Sequence, residues 1–202
     1  MSIRVAALVP VKDPGHGKSR LHGVLEPEER TALNEKLAAR TLDVCIEVFG
    51  ASATFVVSAS TSIAALARAR GLNAVDEARP ADLNAALAAA GRAAIAAGAD
   101  ALLVVPTDLA RLAAPALQAV VDALCSAGGC VLVPDRHGIG TNLMGLAPAR
   151  IDLFRFGGHS LEKHRQAARE AGIAVAVHRD PRLALDLDLP EDLELWRRAG
   201  AA

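Results

Sequence analysis

Ala101-Leu102-Leu103-Val104-Val105, followed by Pro106-Thr107-Asp108, is the clearest strand in the sequence together with its exit. Five consecutive apolar residues closed by a proline turn mark a buried strand, and Asp108 is delivered at its carboxyl end. Working back from it, Asp82 to Ala97 is an alanine-rich helical stretch closed by Gly98, and Asn73 to Val75 is a short, weak strand. Thr61 to Arg70 reads as a helix stopped by Gly71, a natural C-terminal cap, and Thr54 to Ser58 as a strand. Pro27 to Phe49 reads as a long helix, whose opening Pro27-Glu28-Glu29 suits a first turn and its dipole. Ile3 to Val11 reads as the first strand.

Working forward, Ala113 to Ala127 is helical and Cys130 to Pro134 is a strand. Asn142 to Leu146 is a strand bordered by glycines, Leu161 to Ala171 a helix ending at Gly172, and Ile173 to Val177 a further strand. Leu183 to Leu187 then runs into Pro190-Glu191-Asp192-Leu193, a helix start. Strands alternating with helices predict an α/β fold, three layers deep, with a mostly parallel sheet covered on both faces. No linker, repeat or low-complexity tail interrupts residues 1–202, so a single domain is expected.

Composition narrows the function. Hydrophobic residues make up 52% and charged residues 22%, a globular balance. Aromatics are 2%, with one Trp and no Tyr, which leaves no stacking platform for single-stranded nucleic acid. A formal net charge of −1 lacks the basic footprint of a nucleic-acid binder. The opening apolar run is too short for a signal peptide, and no segment reaches the about 20 apolar residues of a membrane span. A cytoplasmic protein is expected. Cys45, Cys125 and Cys130 lack metal-site or disulfide spacing and fall in apolar patterns, so core packing is their expected role.

Ligands of an open parallel sheet collect at the carboxyl ends of its strands. The segment Pro10-Val11-Lys12-Asp13-Pro14-Gly15-His16-Gly17-Lys18-Ser19-Arg20-Leu21 leaves the first strand at such an end. Gly15 and Gly17 let the backbone approach phosphate oxygens, and Lys12, Lys18 and Arg20 can neutralise a triphosphate. Gly17-Lys18-Ser19 imitates the end of a Walker A loop, but Lys12 stands where that motif needs its first glycine. A P-loop ATPase is thereby disfavoured, and the alternative is a basic surface turn.

Asp108 should share this rim. Asp186 and Asp188, in Leu185-Asp186-Leu187-Asp188-Leu189, fall on one face of a strand by alternation. Hard oxygen donors of this kind suit magnesium, which binds one or two carboxylates plus substrate phosphates. Singly, Asp108 could be a helix cap and the pair a polar edge strand; jointly, beside a cationic loop, they point to metal-assisted chemistry at a nucleotide phosphate. Asp192 is accounted for by the helix dipole.

Two further turns are rich in donors: Asp135-Arg136-His137-Gly138-Ile139-Gly140-Thr141-Asn142 and Phe154-Arg155-Phe156-Gly157-Gly158-His159-Ser160. Ser160 could cap the following helix, or that helix start could bind an anion. His159 and His164 lack zinc-pair spacing, and His164 is expected on a helix surface or behind the site.

Taken together, these segments resemble the 2-phospho-L-lactate or phosphoenolpyruvate guanylyltransferase family of coenzyme F-420 biosynthesis. The resemblance rests on PVK…GKSRL at the start, LNAAL at Leu83 to Leu87, TDL at Thr107 to Leu109 and DRHGIGTN at Asp135 to Asn142. It continues through FRFGGHSLEKH at Phe154 to His164 and DLDLPEDL at Asp186 to Leu193. It implies a fold similar to molybdenum-cofactor guanylyltransferases and glycosyltransferase-A enzymes, and transfer of GMP from GTP to a small phosphorylated acid with release of pyrophosphate. By the resemblance Lys12, Gly15, Gly17 and Lys18 hold the nucleotide with help from Asn84, and Lys18, Arg20 and Asp108 serve catalysis. Asp108, Asp186 and Asp188 hold Mg2+, and Thr141, Gly157 and Ser160 cradle the acceptor, which is 2-phospho-L-lactate, phosphoenolpyruvate or 3-phosphoglycerate. A homodimer is compatible with this reading.

Two positions depart from the family pattern: Ala110-Arg111 follows Leu109 where a proline is usual, and Asp82 precedes Leu83-Asn84 where glycine is usual. They bear on the rim around Asp108 and on the nucleotide contact. The alternatives are another nucleotidyltransferase of the same fold, acting on molybdopterin or a sugar phosphate, and a GTP-binding regulatory protein without catalysis.

Overall fold

The computed structural model describes residues 3–76 and 82–200. Seven strands form one sheet: β1 (Val5–Pro10), β2 (Thr54–Ser58), β3 (Asn73–Asp76), β4 (Ala101–Val104), β5 (Cys130–Pro134), β6 (Thr141–Leu146) and β7 (Val175–Val177), in the order β3-β2-β1-β4-β6-β5-β7. β1 pairs in parallel with β2 and β4, as do β2 with β3 and β5 with β7. β6 alone runs antiparallel, between β4 and β5.

The helices are α1 (Pro27–Phe49), α2 (Thr61–Ala69), α3 (Leu83–Ala96), α4 (Ala114–Ala127), α5 (Ser160–Glu170), α6 (Pro181–Ala184) and α7 (Pro190–Gly200). None is long and apolar enough to cross a membrane, among the described residues. Period-two alternation splits the strands between two cores. Ala7, Val9, Val56, Leu103 and Val131 pack under α1, α2 and α4. Ala6, Leu8, Val57, Leu102 and Leu132 pack under α3 and α5. The sheet is therefore sandwiched, as the alternation of elements requires.

α1 begins where a capping box forms: the Glu29 carboxylate accepts the Glu26 N–H at 2.8 Å, with Pro27 in the first turn. Its buried positions recur at helical spacing on two adjoining stripes: Leu33 and Leu37 face the small core of the first loop, and Ala38, Leu42 and Cys45 face the sheet. A third apolar cluster gathers Leu21, Leu25, Leu37, Ala110, Leu187 and Leu193, so the first loop, α1, the turn after β4 and α7 share one small core.

Three sequence readings change. Cys125 is exposed, because it lies on the outward side of α4, whereas Cys45 and Cys130 are buried as expected. The stretch Leu183 to Leu187 is not a strand: Leu183 ends up in α6, and Asp186 makes only an isolated antiparallel bridge to Leu109. Pro181 at the first turn and the Asp180 side chain accepting the Arg182 N–H at 2.8 Å set that short helix. Of the two places expected for His164, the helix surface falls away and the position behind the site holds: it is fully buried, because it faces the sheet side of α5.

Candidate active site

The carboxyl ends of β1 and β4 open on a cleft of about 530 Å³. Lys12, Gly17 and Lys18 line it from the first loop, Asp108 from the exit of β4, and Asp188 from the segment before α7.

The first loop is ordered by its own turns and by a brace from α1. It folds into 3-10 turns over Pro14–His16 and Ser19–Leu21. The Asp13 carboxylate accepts the Gly15 N–H at 3.0 Å, and the Asn34 Nδ2 of α1 donates to the Pro14 carbonyl at 2.7 Å. A Cβ at Gly17 would stand 2.6 Å from Asn34 Nδ2, so a larger residue there would have to displace that amide from its bond to the Pro14 carbonyl. Lys18 lies between the two turns with φ 55°, a left-handed conformation that non-glycine residues adopt at a cost of about 1–3 kcal/mol. That geometry sends its side chain inward, where only 6% is exposed. Its ammonium donates to the Leu187 carbonyl and lies 3.8 Å from Asp188 Oδ1.

The acids are positioned by backbone pairing between the turn after β4 and residues 185–187. The Leu187 N–H donates to the Asp108 carbonyl at 3.0 Å, and the Ala110 N–H to the Leu185 carbonyl at 3.2 Å. Asp108 is thus part of a turn and caps no helix. Burial pushes its carboxyl above the usual carboxylate range; Lys18 pulls it back and the Asp188 charge pushes it further up. Burial also raises Asp186, to about 6, with the Asp108 charge as the next cause. No three His, Cys, Asp or Glu side chains among the described residues converge closely enough to hold a metal ion together. Asp108, Asp186 and Asp188 are therefore neighbours rather than a preformed three-carboxylate cage: Asp108 and Asp188 face the cleft, and Asp186 does not line it.

Asp192 is buried and occupied. Its carboxylate accepts the Leu189 N–H at 2.7 Å and the Asp188 N–H at 3.2 Å, and it meets Arg136 Nε at 2.8 Å. It closes the start of α7 and fixes the backbone of Asp188, the structural role its position predicts.

Thr141, Gly157 and Ser160 do not line the cleft. They belong to a second constellation next to it. Because β6 is antiparallel, its first residue Thr141 lies at the same rim as the last residues of β4 and β5. The Ser160 side chain accepts the Thr141 N–H at 2.9 Å, and the Leu161 N–H donates to the Ile139 carbonyl at 3.1 Å. Ser160 is the first helical residue, and the cap position falls on His159 at φ 56°, so Ser160 is not the cap expected from sequence. Gly157 adopts φ 126°, open to any approach and unsuited to other residues.

His164 locks this constellation. Its Nε2 accepts the Arg155 N–H at 2.9 Å, so the proton of the neutral ring sits on Nδ1, which donates to Thr141 Oγ1 at 2.9 Å. Burial holds the ring's pKa down to about 4, and the nearby Arg155 charge acts in the same direction. The Thr141 hydroxyl, accepting from His164, has its own hydrogen free for a ligand.

Asn84 braces the same loop. Its Nδ2 donates to the Phe156 carbonyl at 3.1 Å and its Oδ1 accepts the Phe156 N–H at 2.8 Å. Both ends of the amide are used by the loop, while its neighbours Leu83 and Ala86 line the cleft. Asp82 caps α3 by accepting the Ala85 N–H at 3.0 Å. Gly15 and Arg20 lie outside the cleft lining, and Arg20 is exposed. Asn34, Asp192 and His164 support the site; the last two lie within the DLDLPEDL and FRFGGHSLEKH segments without a site role assigned from sequence, and Asn34 lies outside every motif. The only signal available to Asn34 was its place on α1, one residue beyond the apolar Leu33.

Comparison with known proteins identifies the family. The family model described as guanylyl transferase CofC like matches residues 5–196. A phosphoenolpyruvate guanylyltransferase of Rubrobacter xylanophilus is 38% identical over 198 residues, covering 97% of this chain and 95% of its own. A 3-phospho-D-glycerate guanylyltransferase of Phenylobacterium zucineum is 35% identical, covering 92% and 86%. A 2-phospho-L-lactate guanylyltransferase of Methanothermobacter thermautotrophicus is 32% identical, covering 95% and 83%. Among solved structures, a nucleotidyl transferase of the same archaeon superposes with a TM-score of 0.69 at 17% identity, covering 96% of this chain and 98% of its own, a likeness of fold. With a family model matched from β1 into α7 and relatives of such identity along nearly all of both chains, the chain belongs to the CofC-like guanylyltransferase family and is a nucleotidyltransferase.

Proposed function

We propose that the chain transfers GMP from GTP to a small phosphorylated carboxylic acid, releasing pyrophosphate, as a step of coenzyme F-420 biosynthesis in the cytoplasm. The observation that carries this is the convergence of Lys12, Lys18, Asp108 and Asp188 on one cleft at the strand ends. In the reaction an acceptor phosphate oxygen attacks the α-phosphorus of GTP in line. The new P–O bond forms as the bond to the β-phosphate bridging oxygen breaks, and the electron pair leaves with pyrophosphate.

Both reactants are anions, so catalysis rests on charge neutralisation and alignment. Lys12 and Lys18 take the triphosphate, and Lys18 is aimed in advance by the Leu187 carbonyl. Asp108 and Asp188 suit Mg2+: they are hard oxygen donors facing one cleft, and the Asp188 charge pushes the Asp108 carboxyl up, a repulsion a dication relieves. When bound, the ion offsets charge on the phosphates. Thr141, offering its free hydroxyl hydrogen, and the open backbone at Gly157 would take the acceptor's phosphate and carboxylate. The relative at 38% identity is named for phosphoenolpyruvate, which makes it the first acceptor to try.

The test is pyrophosphate release from GTP, CTP and ATP against phosphoenolpyruvate, 2-phospho-L-lactate and 3-phosphoglycerate with Mg2+. Release is expected with GTP and at least one of the three acids. Turnover of GTP with none of them rejects the acceptor class; GTP binding without any turnover rejects the enzyme reading in favour of a regulatory protein.

A further inference from the structure

A second cavity, of about 420 Å³, shares no lining residue with the cleft. Arg111, Arg136 and Arg179 border it above an apolar floor that includes Pro134, Leu185 and Leu195. Asp135 and Asp180 stand at its edge, but their oxygens are engaged. Asp135 accepts the N–H groups of His137, Ile139 and Gly140 at 3.1, 2.9 and 2.8 Å. Asp180 accepts the Arg182 N–H at 2.8 Å and pairs with its guanidinium at 2.6 Å. Arg136 is held by Asp192 and Glu191.

Arg111 and Arg179 are different. Neither makes a hydrogen bond or ion pair among the described residues, and Arg111 is half-buried. A guanidinium partly removed from water with no partner is a group an anion would satisfy, and its fork geometry suits a carboxylate or phosphate. An apolar floor beneath it adds affinity for a ligand with a hydrocarbon body, about fourfold per buried methylene.

We propose that this cavity binds a small organic anion: a phosphate or carboxylate on Arg111 and Arg179, with a short apolar body on Leu185 and Leu195. The occupant lies beside the site rather than in it. Arg111 follows Ala110, whose N–H bonds the Leu185 carbonyl, so the ligand touches both segments whose pairing sets Asp108 and Asp186.

The experiment is a chemical-shift titration of the full chain with n-butyl phosphate, n-pentanoate and inorganic phosphate. Butyl phosphate or pentanoate is expected to saturate at least tenfold below inorganic phosphate, and the tighter of the two identifies the headgroup. Arg111→Gln with Arg179→Gln is expected to weaken binding tenfold or more, while Lys18→Ala leaves it unchanged. Arg179 is exposed, so Arg179→Gln alone keeps the fold and should still cost about threefold. Equal affinity for inorganic phosphate, no saturation, or no effect of the arginine variants overturns the proposal. Binding lost in Lys18→Ala but kept in the arginine variants places the anion in the cleft and overturns it too. None of these outcomes depends on the acceptor or on turnover.

Discussion

Asp108→Asn keeps the shape of the side chain and removes its charge, so it separates chemistry from folding. Asp108 lies in the turn after the central strand β4, within reach of the Lys18 and Asp188 charges, and loss of one such preorganised charge costs about a hundredfold or more in rate. Pyrophosphate release should fall by that much with circular dichroism and melting point unchanged; wild-type turnover would remove Asp108 from the site. His164 makes a prediction about stability instead. Its folded pKa, about 4, lies below the ordinary 6.5, so its contribution is complete above pH 6.5 and is lost as the pH falls towards 4. The size is about 3 kcal/mol for this buried ring. Urea unfolding of the wild type at the two ends of that range should show this loss, and His164→Gln should lack most of it. The residues legible from sequence at this scale were those whose type and place announce a charge: Lys12, Lys18, Asp108, Asp188. Asn34, Asn84 and His164 act through neutral hydrogen bonds to partners 9 to 72 residues away, and no local pattern encodes such a partner.

The element that turns the first strand into a binding loop is the pair of 3-10 turns braced on α1. Gly17→Ala would drive a Cβ against Asn34 and loosen its bond to the Pro14 carbonyl. One such hydrogen bond is worth about 1 kcal/mol. The expected result is a KM for GTP raised about fivefold, with Asn34→Ala moving it the same way and neither lowering kcat beyond twofold. An unchanged KM in both would mean that the brace does not shape the nucleotide contact. The regular elements were readable to within a residue or two, because apolar period and cap residues are local signals. Residues 185–188 were misread because Leu-Asp-Leu-Asp alternates as a strand does. The chain there has a partner for only one bridge, and the nearby Asp180 and Pro181 start a short helix first.

At the scale of the whole molecule, the third apolar cluster ties the phosphate loop, the Asp108 turn and the last helix into one unit. Leu187 is fully buried in it, and its carbonyl aims Lys18. Leu187→Ala should cost about 3 kcal/mol, within the range for a buried leucine, and should also raise the KM for GTP. Leu132→Ala, equally buried but in the core under α3 and α5, should cost similar stability and leave KM near wild type. Equal KM effects from both would deny the cluster any special link to the cleft. The antiparallel β6, which brings Thr141 to the working rim, has a consequence for how the chain is made. During synthesis β2 can join β1, β3 can join β2 and β4 can join the other side of β1 in the order they leave the ribosome, so each finds a sheet neighbour already present. β5 emerges next and finds none: its neighbours are β6 and β7, and its place beside β4 is taken by β6. The half of the sheet that carries Thr141 must therefore wait, apolar and unpaired, until residue 146 has been added to the growing chain.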